Sequence, residues 1–313
     1  MMNNLNKVPL RVRLVNVYAL LFILCGTLII GSFVFLKSLE YLLHINLSSG
    51  IDLFKILDNH PNAHQYLLIA QALTALVSFI AIPLLVIFLI WPDLKNIFTI
   101  NRSKFLDMLL LAIFITLASI PLIALLSEFN KYLIGLFPPS FKGIETWMHN
   151  AEKEAEKLTY LLAYYSNTTE LIGGLIVIAV LPAIGEELLF RGIMQTQLTK
   201  AFLNPHLAII ITGFVFSFIH FQFLGFLPRM FLGVIFGYLF YWSGSIWIPI
   251  AMHFTNNALT YFALNFYKQK KVSVDLESTK DLPSVAFIIA AIFFTFLVYR
   301  FYKLREEKYL KVH

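Results

Sequence analysis

The chain has 313 residues, of which 59% are hydrophobic, 16% are aromatic and only 13% are charged. Because ordinary soluble domains carry about 25% charged residues, this composition, with a mean hydropathy of +0.76, argues against a soluble enzyme and predicts an all-α, polytopic membrane protein. The formal net charge is +6, but the basic residues lie mainly beside the apolar runs. They therefore indicate membrane orientation and not a nucleic-acid partner. The single cysteine, Cys25, leaves no intrachain disulfide and no cysteine-based metal site.

Apolar runs of roughly 20 residues predict a bundle of about eight transmembrane helices. In chain order they cover residues 15–36, 66–91, 105–126, 171 to well past 191, 206–224, 229–242, 246–266 and 284–302. The first run follows basic residues and is too long for a signal-peptide core, so it predicts a retained span with a cytoplasmic N-terminus. A basic tail places the C-terminus there too, in what we expect to be a bacterial plasma membrane. Three lysines between 268 and 271 conflict with this orientation, because they fall on the predicted outer side.

The segment between the third and fourth runs, residues 127–170, is net acidic, with four lysines and six glutamates. Its apolar residues recur at steps of three and four, which predicts an amphipathic helix. We expect this helix to lie at the membrane interface. A helix that packs on its neighbours is the alternative.

Three charged residues, Glu186, Glu187 and Arg191, interrupt the fourth run, where each charge costs at least roughly 2.5 kcal/mol on insertion scales. Glu187 and Arg191 are four residues apart, so Glu187 is predicted to be the partner that lets Arg191 be buried. Glu186 points about 100° away and remains available as a base. A purely structural role for all three is the alternative. Pro182 should bend this helix one turn earlier and free a backbone carbonyl.

Two further polar interruptions fit the same site. His220 lies in an aromatic-rich run, and His253 and Asn257 are four apart on one face of the seventh span. Glu186 and His220 each lie about 21 Å along their helices from the connector between spans four and five, so they can meet at one depth. A packed core histidine and an interhelical hydrogen-bonding pair are the alternatives for these positions. A carboxylate, two histidines and an amide are the groups needed to activate water and stabilise an oxyanion.

The order of these residues resembles a known family. Three motifs in successive spans resemble those of the CPBP family, the CAAX-protease and bacteriocin-processing intramembrane proteases also called Abi, which include the type II CAAX prenyl endopeptidases. The motifs are Glu186-Glu187-x-x-x-Arg191, Phe216-x-x-x-His220 and His253-x-x-x-Asn257. The resemblance covers residues 171–264.

The resemblance implies a helical-bundle endopeptidase whose site opens from within the membrane. Glu186 and His220 would position and activate the water, His253 and Asn257 would stabilise the oxyanion, and the other two charged residues of the first motif would support the site. On this basis the chain divides into four parts. They are spans one to three (1–130), an extramembrane segment with the amphipathic helix (131–169), a catalytic core of spans four to seven (170–267), and a last span with a basic tail (268–313).

Metal use and substrate stay open at this point. Glu186, His220 and His253 are a possible zinc set with water as the fourth ligand, but there is no His-Glu-x-x-His, and the resemblance also fits a metal-independent glutamate mechanism. We therefore favour no cofactor, with zinc as the alternative. The expected partners are the lipid bilayer and a membrane-associated peptide or protein substrate: a prenylated CAAX protein, a bacteriocin or pheromone precursor, or a membrane-protein tail. A transporter or a partner-binding regulator is the alternative class.

Overall fold

The computed structural model describes residues 10–46, 53–100, 103–163, 165, 167–268 and 284–305. Within these ranges all regular structure is helical, which confirms the predicted all-α class. We number the helices α1 (Leu10–Leu43), α2 (Leu53–Asn59), α3 (Ala63–Ile90), α4 (Phe105–Gly135), α5 (Lys142–Ala163), α6 (Thr168–Phe202), α7 (Pro205–Phe218), α8 (Phe226–Ser243), α9 (Trp247–Lys268) and α10 (Ser284–Leu304). Short 3₁₀ segments cover Pro92–Phe98, Pro139–Phe141 and Phe223–Gly225.

The chain is an integral membrane protein. Among the described residues, 6 helices are long and apolar enough to cross a bilayer: α1, α3, α4, α6, α8 and α10. Large apolar side chains point outward from the first and last of these, as shown by Phe22 and Ile292, which are 81% and 67% exposed. The count of eight spans stays a prediction, because α7 has 14 residues and α9, with 22, carries His253 and Asn257 within its apolar run.

The predicted break between the fourth and fifth spans is confirmed, and the predicted end of the fifth span is wrong. Leu203 adopts a left-handed conformation with φ 55°, and the side chain of Asn204 caps α7. Helices α6 and α7 are therefore separate, in agreement with the predicted start of a new span at residue 206. The fifth span, however, does not continue to residue 224. It ends at Phe218, and a non-helical turn with Phe221 at φ 53° leads to the 3₁₀ segment before α8.

The core is organised around α6. Residues 188–195 of this helix are buried on every side. They pack in one hydrophobic cluster with α1, α3 and α7, while a second cluster joins α4, α8, α9 and α10. A charged group in this part of α6 must therefore be compensated by other groups of the protein and not by water.

Both α3 and α6 combine π-helical turns with proline. Pro83 follows the π-helical turn 75–81, and Pro182 follows the turn 176–180. Such turns are often found at functional sites. Because Pro182 has no N–H, the carbonyl of Ile178 lacks its α-helical donor. The Nδ2 atom of Asn257 on α9 donates to this carbonyl at 3.3 Å, so the proline and the asparagine act together.

Gly185 brings α3 directly onto the helix that carries the charged motif. A Cβ atom at this position would lie 2.6 Å from Cβ of Phe79 and 3.0 Å from its carbonyl oxygen. Only glycine permits this approach without displacing α3, and it does so one residue before Glu186.

The amphipathic segment forms helix α5, as predicted. The alternative of a helix that packs on its neighbours is observed, while its position at the membrane interface stays a prediction. One side packs on its neighbours: Trp147 contacts the ring of Phe223 at a centroid distance of 5.2 Å, and Nδ2 of Asn265 donates to the carbonyl of Ala163 at 2.7 Å. Other apolar residues of the helix stay accessible, since Ile144 is 45% exposed.

Some sequence predictions lie outside the described residues. They concern the basic residues before the first span (1–9), the connector 269–283 with Lys270 and Lys271, and the basic tail 306–313. The membrane orientation and the four-part division of the chain therefore stay predictions.

Candidate active site

Glu187 and Arg191 form the buried ion pair that their spacing predicts. Both side chains are 0% exposed, and Nη1 of Arg191 donates to Oε1 of Glu187 at 2.6 Å. The same guanidinium donates through Nη2 to the carbonyl of Gly233 at 2.8 Å, and its Cζ lies 5.0 and 5.2 Å from the ring centroids of Phe216 and Phe236. These contacts compensate much of the cost of burying a cation between α6, α7 and α8.

Glu187 also holds His253. Its Oε1 atom accepts a hydrogen bond from Nδ1 of His253 at 2.8 Å. This fixes the plane of the imidazole and directs its Nε2 atom toward Glu186, whose Oε2 lies 3.8 Å away. Helical spacing within α6 gave no signal for this second role, because the partner lies on α9.

His220 faces the same carboxylate from the turn that follows α7. Its Nδ1 atom donates to the carbonyl of Phe216 at 2.6 Å. With the proton on Nδ1, the Nε2 atom of a neutral imidazole is an acceptor. It lies 4.0 Å from Oε2 of Glu186, so the two residues meet at one depth, as the distances along the helices predict.

Oε2 of Glu186 is the point on which the site converges. This atom is buried and has no direct hydrogen-bond partner among the described residues, while the side chain as a whole keeps 20% exposure. Its separations from the two Nε2 atoms exceed the 2.7–3.2 Å typical of direct hydrogen bonds. The carboxylate and both imidazoles therefore face one small region without touching one another.

Asn257 lies one turn beyond His253 on α9, but its hydrogen bonds run elsewhere. Nδ2 donates to the carbonyl of Ile178, and Oδ1 accepts from Nδ2 of Asn256 at 3.3 Å. An amide has two N–H groups, so one remains for a substrate when the first is used by Ile178. This arrangement fixes the direction of the side chain.

Arg229 is a further charged group beside the site. The sequence pattern identified it only as the start of the sixth predicted span. It lies in the first turn of α8, where Nη1 and Nη2 donate to the backbone and side-chain oxygens of Gln222 at 3.1 and 3.0 Å. These bonds connect it to Gln222, two residues after His220 in the chain. A cation within an otherwise apolar span was the available signal.

A catalytic zinc ion needs about three protein donor groups that point at one position. Among the described residues, no three His, Cys, Asp or Glu side chains are placed to hold one metal ion. The Nδ1 atoms of both histidines are already engaged, by Glu187 and by the carbonyl of Phe216. This leaves Nε2 of each histidine facing Glu186, as in histidines that bind zinc through Nε2. Zinc therefore stays the alternative, and no step below uses a metal.

Fold and site together define an integral membrane protein that buries two glutamates, an arginine and two histidines at one place in a helical bundle. Residues 168–259 match the family model described as Type II CAAX prenyl endopeptidase Rce1-like. This segment contains all three motifs. The match confirms the resemblance to the CPBP family.

The chain is also similar to the uncharacterized protein YpbD of Bacillus subtilis (strain 168). The two are 26% identical over 96 residues, which cover 29% of this chain and 46% of that protein. The alignment thus spans less than half the length of this curated relative. No solved structure gives a significant match.

Proposed function

We propose that this protein is an intramembrane endopeptidase that hydrolyses a peptide bond in a membrane-associated peptide or protein. The observation that carries the proposal is the convergence of Oε2 of Glu186 with Nε2 of His220 and Nε2 of His253, at 4.0 and 3.8 Å. The match to a CAAX prenyl endopeptidase model supports the reaction class. Among the substrates considered, it favours a prenylated CAAX-type peptide.

Water activation is assigned to Glu186 and His220. A water molecule between these two residues donates one proton to Oε2 of Glu186 and the other to the acceptor Nε2 of His220. As its oxygen attacks the scissile carbonyl carbon, Glu186 takes the first proton as general base. A positioned base of this kind contributes about 10²–10⁴-fold to the rate.

Oxyanion stabilisation is assigned to His253 and Asn257. To donate from Nε2 while Nδ1 donates to Glu187, the imidazole of His253 must carry both protons. The carboxylate of Glu187 stabilises that cation. The second N–H of the Asn257 amide is the other donor to the tetrahedral oxyanion. Collapse of the intermediate breaks the C–N bond, and Glu186 returns its proton to the leaving amine.

The buried position of the site strengthens these interactions, because charges and dipoles act more strongly in a low-dielectric interior than in water. We place the enzyme in a bacterial plasma membrane with both termini in the cytoplasm. A substrate held to the bilayer by a lipid or an apolar segment would then reach the site from within the membrane.

The decisive experiment compares membrane-peptide processing in cells that express the wild type or Glu186→Gln. The variant keeps the shape of the side chain and removes the base, so we expect precursor peptides to accumulate. Glu128→Gln is the matched control, since Glu128 is an exposed carboxylate on α4 that pairs with Lys131. Equal processing by wild type and Glu186→Gln, at equal amounts of membrane protein, would overturn the proposal.

Metal dependence needs its own test. We expect the purified protein to keep full activity after stringent chelation and to contain no stoichiometric metal by elemental analysis. Loss of activity that returns on addition of zinc would overturn the metal-free mechanism while leaving the peptidase assignment in place.

A further inference from the structure

The turn that carries His220 is held in place from outside the matched segment. Between the end of α7 and the start of α8, residues 219–225 leave the α-helical ladder at the depth of the site. In an apolar environment each backbone N–H and C=O released in this way needs a partner from the protein. The identity of those partners decides what fixes the position of His220.

Asn130 on α4 uses its whole amide for this purpose. Nδ2 donates to the carbonyls of Phe223 and Leu224, both at 2.8 Å, and Oδ1 accepts from the N–H of Leu227 at 3.2 Å. The side chain is 4% exposed. These three hydrogen bonds satisfy both N–H groups and the oxygen of the buried amide, and all of them go to one segment more than 90 residues away.

Glu152 on α5 completes the set. Its Oε2 atom accepts from the N–H of Leu224 at 3.1 Å, and the residue is 9% exposed. Both backbone polar groups of Leu224 are therefore held: α5 binds its N–H and α4 binds its C=O. The ring contact between Trp147 and Phe223 lies beside this bond and keeps α5 against the segment.

The remaining hydrogen bonds of the turn come from the two helices that flank it. Oγ of Ser217 donates to the carbonyl of Phe226 at 2.7 Å, and Arg229 donates to the carbonyl of Gln222. These bonds are local, and they leave the turn free to move as a body with the ends of α7 and α8. Only Asn130 and Glu152 connect it by hydrogen bonds to distant parts of the chain in the described structure.

We infer that Asn130 and Glu152 are positioning residues for His220, supplied by helices outside residues 168–259. They hold the 219–225 turn so that Nε2 of His220 stays beside Glu186. The inference rests on the proposed peptidase activity for its kinetic part. It predicts that helix α5, although remote in sequence from all three motifs, is required for turnover and not only for stability.

The kinetic test uses a fluorogenic peptide that ends in a prenylated Cys-aliphatic-aliphatic-X sequence, with purified full-length protein in nanodiscs. Asn130→Leu should lower kcat about 10–100-fold, the loss typical of a catalytic group displaced by about 1 Å, with little change in KM. Glu152→Ala should act in the same direction. Glu152→Gln should retain the wild-type rate, because its amide oxygen accepts the same N–H.

A stability control separates positioning from folding. Met108→Ala removes a buried side chain at the opposite end of α4, about 33 Å from Asn130 at 1.5 Å per residue. It should lower the unfolding temperature without changing kcat. If Asn130→Leu and Met108→Ala reduced kcat equally at matched folded fraction, Asn130 and Glu152 would have only a structural role. The inference would then fail.

A readout independent of catalysis is hydrogen–deuterium exchange of the peptide that covers residues 219–227. Asn130→Leu and Glu152→Ala should accelerate this exchange about tenfold or more, since hydrogen bonds to the turn are lost, while Met108→Ala leaves it unchanged. Unchanged exchange in Asn130→Leu would overturn the inference even if the wild type cleaved no prenylated peptide. Failure of the peptidase proposal itself is recognised separately, by equal processing in wild type and Glu186→Gln.

Discussion

Oε1 of Glu187 lies 2.8 Å from Nδ1 of His253 and is the same atom that pairs with Arg191 at 2.6 Å. One carboxylate oxygen thus joins a structural ion pair to an imidazole that faces the candidate base. The negative charge of Glu187 is shared between a permanent cation and a histidine that must become cationic to donate from Nε2. This makes Glu187 the link between the stability of the bundle and the chemistry proposed for the site.

Substitutions of the two members of the ion pair should have different effects on activity. Glu187→Gln leaves Arg191 buried without its counter-charge, so the free energy of unfolding should fall by about 3–5 kcal/mol. It also removes the charge that stabilises protonated His253, so kcat should fall about 10²–10⁴-fold. Arg191→Gln should cost similar stability but far less activity per folded molecule, because Glu187 still holds His253. Thermal unfolding and kcat, measured on the same preparations, distinguish the two.

Equal losses of kcat in Glu187→Gln and Arg191→Gln, after correction for the folded fraction, would contradict this assignment. The activity loss would then follow from disruption of α6 as a whole, and Glu187 would have no separate role toward His253.

The part of this site that the sequence predicts follows from spacing within one helix or across one short connector. The spacing of Glu187 and Arg191 predicts their ion pair, and the equal distances of Glu186 and His220 from their connector predict that they meet. Both statements need only the pitch of an α-helix. The family resemblance indicates, in addition, that the glutamates, the arginine, the histidines and the asparagine of the three motifs belong to one site.

What the sequence does not reveal depends on which helices face one another. The bond from His253 to Glu187 joins α9 to α6, and the bond from Asn257 goes to a backbone carbonyl that has no sequence signature of its own. Asn130 and Glu152 lie on helices without motifs, and they look like ordinary polar residues of an apolar span and of an amphipathic helix. The early end of α7 is also hidden, because large apolar residues continue beyond it at Phe221, Phe223 and Leu224. Their departure from helical geometry is compensated by side chains far away in sequence.

Two histidines, one in the first turn of α7 and one in the turn that follows α7, test the role assigned to His220 beside the base. His220→Ala should lower kcat about 10²–10⁴-fold because it removes the acceptor that orients the water. Folding should be little affected, since the hydrogen bond of His220 runs to its own helix at Phe216. His206→Ala is the matched control: His206 lies in the first turn of α7 and contacts Tyr238, away from the three motifs. The prediction is wrong if the two variants cleave the prenylated peptide at the same rate.

Close packing of α3 on α6 predicts opposite effects for two glycines of the same helix. Alanine at Gly185 would place Cβ 2.6 Å from Cβ of Phe79, so α3 must move, and we expect a loss of about 1–3 kcal/mol in stability together with reduced activity. Alanine at Gly173 meets only Cδ1 of Leu68, at 3.8 Å, and should be neutral or stabilising by up to about 1 kcal/mol, as expected for alanine in a helix. Unfolding midpoints in detergent check both. A Gly185→Ala variant as stable as Gly173→Ala would show that α3 can move away from α6 without a loss in the free energy of unfolding.

Pro182 and Asn257 should be coupled through the carbonyl of Ile178. Asn257→Ala leaves that buried carbonyl without the side-chain donor and should destabilise the protein by about 1–3 kcal/mol. In Pro182→Ala the backbone N–H of residue 182 returns and can satisfy the same carbonyl, so the double variant should recover most of the stability lost by Asn257→Ala. Activity should not recover, because the amide that stabilises the oxyanion is still missing. A double-mutant cycle that measures unfolding free energy and kcat side by side therefore separates the two roles of Asn257. Additive stability changes would show that the proline and the asparagine act independently, and a double variant with wild-type kcat would remove Asn257 from the proposed oxyanion site.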